Sequence, residues 1–163
     1  MVSYLEYQIA KKIGYEPEKI IFNGPIKRHN EFFDALNSSS LINIDSEYEV
    51  VFLEEYRREN PNAVLNVGVR INVAIKDEEG NSATYGEEEI GRFGFIDSEL
   101  ENLFLRLCAI NCNIVSLHGH TSSKNRAILN YLQIVDELFH IREKYCLNPR
   151  FFDIGVGFFG SRS

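Results

Sequence analysis

Val67-Gly-Val-Arg-Ile-Asn-Val73 is the stretch that best separates the possible folds of this 163-residue chain. Its odd-numbered positions are all apolar, whereas Gly68, Arg70 and Asn72 share the opposite face, because side chains alternate along a β-strand. A strand of this kind packs its apolar face under helices and leaves polar groups on the other face. The strands of an open, doubly wound sheet tend to be apolar on both faces, which makes that fold the alternative. The stretch therefore favours a sheet that curls toward a barrel.

The same alternation recurs in the other strand candidates. One face of each carries the polar or small residues, namely Asn43 and Asp45, then Ser116, His118 and His120, then Phe151, Asp153, Gly155 and Gly157. These residues concentrate at the carboxyl ends of the predicted strands. A (β/α) barrel has its functional site at that end, so the pattern predicts a site there.

Predicted strands and helices alternate along the whole chain. Turn and capping signals place strands at about 20–22, 41–44, 64–74, 114–117 and 151–154, and helices at about 3–14, 27–36, 46–60, 97–110 and 125–145. Asp45-Ser46 is predicted to cap the third helix. This cadence indicates right-handed βαβ units in one parallel sheet. No repeat or linker divides the chain, so we predict a single α/β domain.

Composition and charge exclude several classes of function. The formal net charge of −7 and the isoelectric point near 5.1 disfavour a general nucleic-acid surface. No apolar run is long enough to cross a bilayer, and the first residues lack the pattern of a signal peptide. We therefore expect a cytoplasmic protein with no nucleic-acid or membrane partner.

His118 and His120 are open to three interpretations. Residues two apart on a strand point the same way, so the two could bind a metal, but the sequence places no acidic or cysteine third ligand beside them. Either could instead be a hydrogen-bonded core residue. The third interpretation is that a neutral imidazole stacks on a flat cofactor ring while Ser122 or Ser123 reaches its phosphate. We predict no metal site.

Arg70 and the terminal glycines are the other candidate functional residues. A buried Arg70 needs a partner, which could be Asp45 or Asp153 in an internal ion pair or an anionic or heteroaromatic ligand. Gly155 and Gly157 follow the last predicted strand, and closely spaced glycines let backbone N–H groups approach a phosphate.

Seven motifs also occur in the order and spacing of a known family. They are Ser3-Tyr-Leu-Glu6, Lys19-Ile-Ile-Phe-Asn-Gly-Pro-Ile-Lys27, Ile44-Asp-Ser-Glu47, Val69-Arg-Ile-Asn72, Gly91-Arg-Phe-Gly-Phe95, Leu117-His-Gly-His-Thr-Ser-Ser123 and Phe152-Asp-Ile-Gly-Val-Gly-Phe158. Together they resemble the N-terminal barrel domain of the fold-type III pyridoxal-phosphate decarboxylases. That group contains the diaminopimelate, ornithine and arginine decarboxylases and shares the barrel of alanine racemase.

The resemblance implies a fold, a cofactor and an activity. Residues 1–163 would form a partial (β/α)8 TIM barrel of about five successive βα units, without a C-terminal β domain. The cofactor would be pyridoxal 5′-phosphate, and the parent reaction would remove the α-carboxylate of a diamino or basic amino acid. The substrate would be a small amino acid, and the full-length parent would be a homodimer.

The resemblance also implies residue roles. His120 would stack against the pyridine ring, Arg70 would lie close to the cofactor, and Ser123 would bind on the phosphate side. Gly155 and Gly157 would donate backbone N–H groups to the phosphate. No residue of this chain is implied as catalytic.

The sequence departs from the family pattern in ways that affect these expectations. The family's Schiff-base lysine precedes the Ser-x-x-Glu helix, and its pyridine-binding acidic residue and C-terminal β domain follow the glycine loop, so none is expected in this chain. Val156 and Ser122 replace two glycines of the family motifs, which weakens the expected phosphate site. We therefore expect a fragment that is inactive alone and binds the cofactor weakly. The alternatives are a non-catalytic binding or regulatory module, and a metal-dependent hydrolase that uses His118 and His120.

Overall fold

A computed structural model of the chain describes residues 1–76, 79–80, 82, 91–120 and 128–155. The predicted phosphate-binding residues Ser123 and Gly157 lie outside the described residues, as do Ser122 and Val156.

Strands and helices alternate in the described residues, as the sequence predicts. The strands are β1 (Ile21–Phe22), β2 (Leu41–Ile44), β3 (Leu65–Ile71), β4 (Cys112–Gly119) and β5 (Phe151–Asp153). The helices are α1 (Tyr4–Lys12), α2 (His29–Asn37), α3 (Glu47–Glu59), α4 (Asp97–Ala109) and α5 (Ile128–Lys144), with a 3-10 turn at Pro17–Lys19. The strands form one sheet in the order β1-β2-β3-β4-β5, and every neighbouring pair is parallel. This confirms the predicted α/β fold.

Two helix starts illustrate how local sequence sets the elements. At α1 the Ser3 hydroxyl caps the helix by accepting the Glu6 N–H at 3.3 Å, and the Glu6 carboxylate accepts the N–H of Val2, the residue before the cap, at 2.8 Å. At α3 Ser46 is the N-cap residue, as predicted, but its hydroxyl makes no capping hydrogen bond. The Glu49 carboxylate accepts the N–H of Asp45 instead, at 2.8 Å.

The two faces of the sheet have different chemistry. The outer face packs under the helices, and its fully buried apolar side chains include Ile42, Ile44, Val67, Val69 and Leu117. The inner face is polar, and Asn43, Ser116 and His118 are nevertheless at most 3% exposed. The predicted alternation is therefore confirmed, and the sheet encloses a polar interior rather than a second apolar core.

A bulge brings the polar positions of β3 and β4 into one layer. Val67 pairs with Ile114, but Gly68 pairs with Ser116, so the strands shift register by one residue at that point. Arg70 then lies opposite His118. Because one extra residue reverses the facing of a strand, the bulge aligns the polar faces of the two strands.

Gly68 makes room for a buried side chain from the next strand. A Cβ at Gly68 would lie 1.6 Å from Asn43 Oδ1 and 2.9 Å from Ser116 Cβ. Asn43 has little freedom to move away, because its Nδ2 donates to Asn23 Oδ1 at 2.6 Å.

None of the helices in the described ranges has the length and apolar character needed to cross a bilayer.

We predict that Gly68→Ala lowers the free energy of unfolding by about 1–3 kcal/mol, the usual cost of overpacking a core. Urea denaturation would measure the change. Gly91→Ala is the control, because its Cβ would meet only the Asn72 side chain, at 3.3 Å. Equal losses of stability in the two variants would show that Gly68 has no special packing role.

Candidate functional site

The carboxyl ends of the central strands bring the predicted site residues together. Arg70 of β3 is paired in register with His118 of β4, and His118 is paired with Asp153 of β5. His120 follows β4, and Gly155 follows β5. Arg70, His120 and Gly155 therefore share one edge of the sheet, which is the edge the sequence indicates.

Gly155 packs directly against the imidazole of His120. A Cβ at Gly155 would lie 2.1 Å from His120 Nδ1, so no other residue fits at this position without moving the ring. Gly155 also has φ of +74°, a conformation that residues with a side chain rarely adopt. Two independent constraints thus require glycine here.

Arg70 is held in a buried ion pair. Its Nη1 donates to Asp45 Oδ2 at 2.8 Å, and its guanidinium carbon lies 5.0 Å from the centre of the Phe93 ring. The ion-pair interpretation is therefore confirmed, with Asp45 rather than Asp153 as the partner. The Nε of Arg70 is buried and finds no hydrogen-bond partner in the described part of the chain.

The Asp153 carboxylate is the hub of the polar interior. Its Oδ2 accepts Asn23 Nδ2 at 2.8 Å and lies 3.3 Å from His118 Nδ1, and its Oδ1 accepts the Gly155 N–H at 2.9 Å. Burial alone would raise the pKa of Asp153. The His118 contact and the bonds from Gly155 and Asn23 outweigh burial and hold the pKa well below its usual range.

The Gly155 N–H has a partner within the chain. It donates to Asp153 Oδ1 at 2.9 Å, and the donation to a phosphate stays a prediction. The small size of Gly155, which admits His120, remains its evident contribution to this edge.

The two histidines lie in a parallel arrangement. Their ring centres are 6.3 Å apart, with 10° between the planes. His118 Nδ1 lies 3.0 Å from the carbonyl oxygen of Asp153, and because that oxygen only accepts, Nδ1 carries the proton. Burial, then the charge of Arg70, then His118 lower the pKa of His120. His120 is therefore a neutral imidazole at neutral pH.

The described residues contain no cluster of three His, Cys, Asp or Glu side chains suited to a metal ion.

Sequence reasoning missed the buried pair of Lys27 and Glu49 next to this edge. Lys27 Nζ lies 3.0 Å from Glu49 Oε1, and both side chains are completely buried. Burial lowers the pKa of Lys27 and raises that of Glu49, while their mutual attraction opposes both shifts. The sequence does indicate that Glu49 is buried, because Glu49 lies on the same helix face as the apolar residues Leu53 and Tyr56.

Known proteins share this architecture along the whole chain. A family model described as "Pyridoxal-dependent decarboxylase, pyridoxal binding domain" matches residues 1–163. A diaminopimelate decarboxylase of Aquifex aeolicus is 26% identical over 162 residues, covering 96% of this chain and 38% of the relative. Antizyme inhibitor 1 of Mus musculus is 24% identical over 160 residues, covering 96% of this chain and 33% of the relative.

A solved structure shows the same fold. It is diaminopimelate decarboxylase from M. jannaschii in complex with L-lysine, with a TM-score of 0.75 at 20% identity. The match covers 99% of this chain and 39% of that protein. This chain thus spans about two fifths of the length of the relatives it matches.

We predict that Asp153 makes the protein sensitive to acid. Since its pKa is lower in the folded state, its ionised form stabilises the fold above the unfolded value of about 3.9, and that contribution is lost as the pH falls below it. Asp153→Asn should therefore lower the urea midpoint most at pH 6–7, and the difference from the parent should shrink toward about pH 3.

Asp136→Asn serves as the control, because Asp136 is exposed on α5. A gap between the parent and Asp153→Asn that stays constant from pH 7 to about 3 would contradict this role of the carboxylate.

Proposed function

We propose a function from the premise that the chain belongs to the pyridoxal-binding domain family of the pyridoxal-dependent decarboxylases. It supplies part of the pyridoxal 5′-phosphate pocket of an enzyme that removes the α-carboxylate from a diamino or basic amino acid. The observation that carries the proposal is the meeting of Arg70, His120 and Gly155 at one edge of the sheet.

The residues at this edge suit a phosphorylated aromatic cofactor. A neutral imidazole can stack on a protonated ring without repulsion between like charges, and the pKa of His120 is lowered by burial, Arg70 and His118. The buried Nε–H of Arg70 is a donor with no partner among the described residues. Such a donor suits an anionic or heteroaromatic ligand. Ser123 and Gly157 are proposed as the phosphate contacts, and both lie outside the described residues.

The chemistry divides between the cofactor and the chain. When bound, the cofactor ring accepts the electrons left as carbon dioxide departs from the α-carbon. His120 would orient that ring, and Gly155 leaves the space in which the imidazole packs. The charge of Arg70 is balanced by Asp45. Arg70 would therefore offer the ligand an oriented N–H donor rather than an unpaired positive charge. The bond from His118 Nδ1 to Asp153 keeps the neighbouring imidazole in one orientation.

The finer parts of the proposal rest on the relatives. The solved relative from M. jannaschii is a diaminopimelate decarboxylase that binds L-lysine, which supports the diaminopimelate or ornithine class of substrate. We further propose that the complete enzyme is a cytoplasmic homodimer.

A second candidate is a non-catalytic binding or regulatory module on the same barrel. One relative of similar identity is named an inhibitor rather than an enzyme. Val156 and Ser122, which replace glycines of the family motifs, point the same way. The gene upstream of Met1 discriminates between the two: a strand with an aromatic-Ala-x-Lys sequence supports the enzyme, and its absence supports the module.

We predict that pyridoxamine 5′-phosphate binds at the His120 edge of the chain. This probe lacks the aldehyde of the cofactor, so it forms no covalent bonds with surface lysines. Titration followed by NMR should shift the His120 ring signals and the Gly155 amide signal saturably, and unphosphorylated pyridoxamine should have a much smaller effect.

Gly155→Ala should weaken binding about tenfold or more, a loss of about 1.4 kcal/mol, because its Cβ displaces His120. Gly14→Ala is the matched control, since Gly14 also has a positive φ, of 98°, but its Cβ would meet nothing within 4 Å. If the signals of His120 and Gly155 stay still at saturating probe, the cofactor assignment is wrong.

A further inference from the structure

Lys27 and Glu49 form a buried ion pair that the proposed pocket does not use directly. Lys27 Nζ donates to Glu49 Oε1 at 3.0 Å, to Glu49 Oε2 at 3.2 Å and to the carbonyl oxygen of Asn43 at 2.9 Å. The amine is therefore saturated with acceptors and sealed from solvent, which excludes it as a nucleophile in this arrangement.

Stability does not explain such a pair. Burying two charges costs about as much as their attraction returns, and apolar replacements of similar volume are often equally stable. In some proteins such pairs instead fix one specific geometry.

The pair fixes the backbone at the end of β2, because each partner makes a hydrogen bond to it. Lys27 binds the carbonyl oxygen of Asn43, and Glu49 Oε2 accepts the N–H of Asp45 at 2.8 Å. The strand ends between these two points, at Ile44, so the backbone around Asp45 is fixed where strand pairing stops.

The Asp45 side chain connects this fixed backbone to the candidate site. Its Oδ2 accepts Arg70 Nη1 at 2.8 Å, and its Oδ1 lies 3.4 Å from the N–H of Gly94. Arg70 in turn lies opposite His118 in the strand register, and the His118 ring lies parallel to the His120 ring, with 6.3 Å between their centres. The charge of Arg70 also lowers the pKa of His120. A continuous series of contacts thus runs from Lys27 to the edge that carries His120.

We propose that Lys27 and Glu49 are positioning residues: by fixing the backbone of Asp45 they hold the Arg70 guanidinium in its ion pair on β3, opposite His118 and at the edge that carries His120. This proposal depends on the proposed function only for the identity of the ligand near Arg70. The arrangement itself exists without any ligand, so it is testable on the chain alone.

The test measures the titration midpoint of His120 by NMR. The chain has four histidines, so its imidazole signals are readily assigned. The groups that act on His120 are Arg70, His118 and Asp153. Arg70→Met is the reference variant, because it removes the charge and should raise the midpoint.

The decisive variant is the double replacement Lys27→Met/Glu49→Leu. It removes both buried charges with little change in volume, so we expect a folded protein with cooperative unfolding. Arg70 should then leave its ion-paired position, and the titration midpoint of His120 should rise by about 0.5 pH unit or more, in the direction of Arg70→Met.

The control is Lys144→Met/Asp97→Asn, which removes an exposed ion pair between α4 and α5 at 2.7 Å. Its His120 midpoint should equal that of the parent. Glu49→Gln is a second, milder variant that keeps the side-chain shape and should raise the midpoint in the same direction. A parental midpoint in either folded Glu49 variant would overturn the proposal, whether or not the chain binds pyridoxamine 5′-phosphate.

Discussion

The hydrogen bond from Asn23 to the Asp153 carboxylate, at 2.8 Å, is the contact on which the polar interior depends. Asn23 follows β1 and Asp153 belongs to β5, so the bond joins the two edge strands of the described sheet across its concave side. A flat sheet of five parallel strands would separate these residues by about 19 Å. The bond is therefore possible only because the sheet curls, and it holds the curled edge that carries His120 and Gly155.

Pairing of charges is the second theme of this interior. Arg70 is matched by Asp45, Lys27 by Glu49, and Asp153 by bonds from His118 and Asn23. Buried charges are tolerated only when they are paired and hydrogen-bonded. His120 lies among these groups, and its pKa is lowered by burial and by the charge of Arg70. The fold thus surrounds a neutral aromatic side chain with balanced charges, an arrangement suited to a ring that carries charge itself.

Family membership and local geometry support the proposed function in different ways. The family model covers the whole chain and identifies the domain type. The geometry adds which residues meet, and it shows that the lack of a side chain at Gly155 makes room for His120. The geometry also adds Lys27 and Glu49, which bind the backbone on either side of Ile44, at Asn43 and at Asp45.

The sequence by itself determined the alternation of strands and helices, the parallel sheet and the inward faces of β3 and β4, because these follow from local periodicity and capping. The bounds of β2 match the prediction residue for residue. Only the tertiary structure decided that Arg70 pairs with Asp45, that Gly155 bonds to Asp153, and that the Glu49 carboxylate accepts the N–H of Asp45 before α3. Each of these depends on strand register and on the curvature of the sheet, which are set by contacts between residues far apart in the chain.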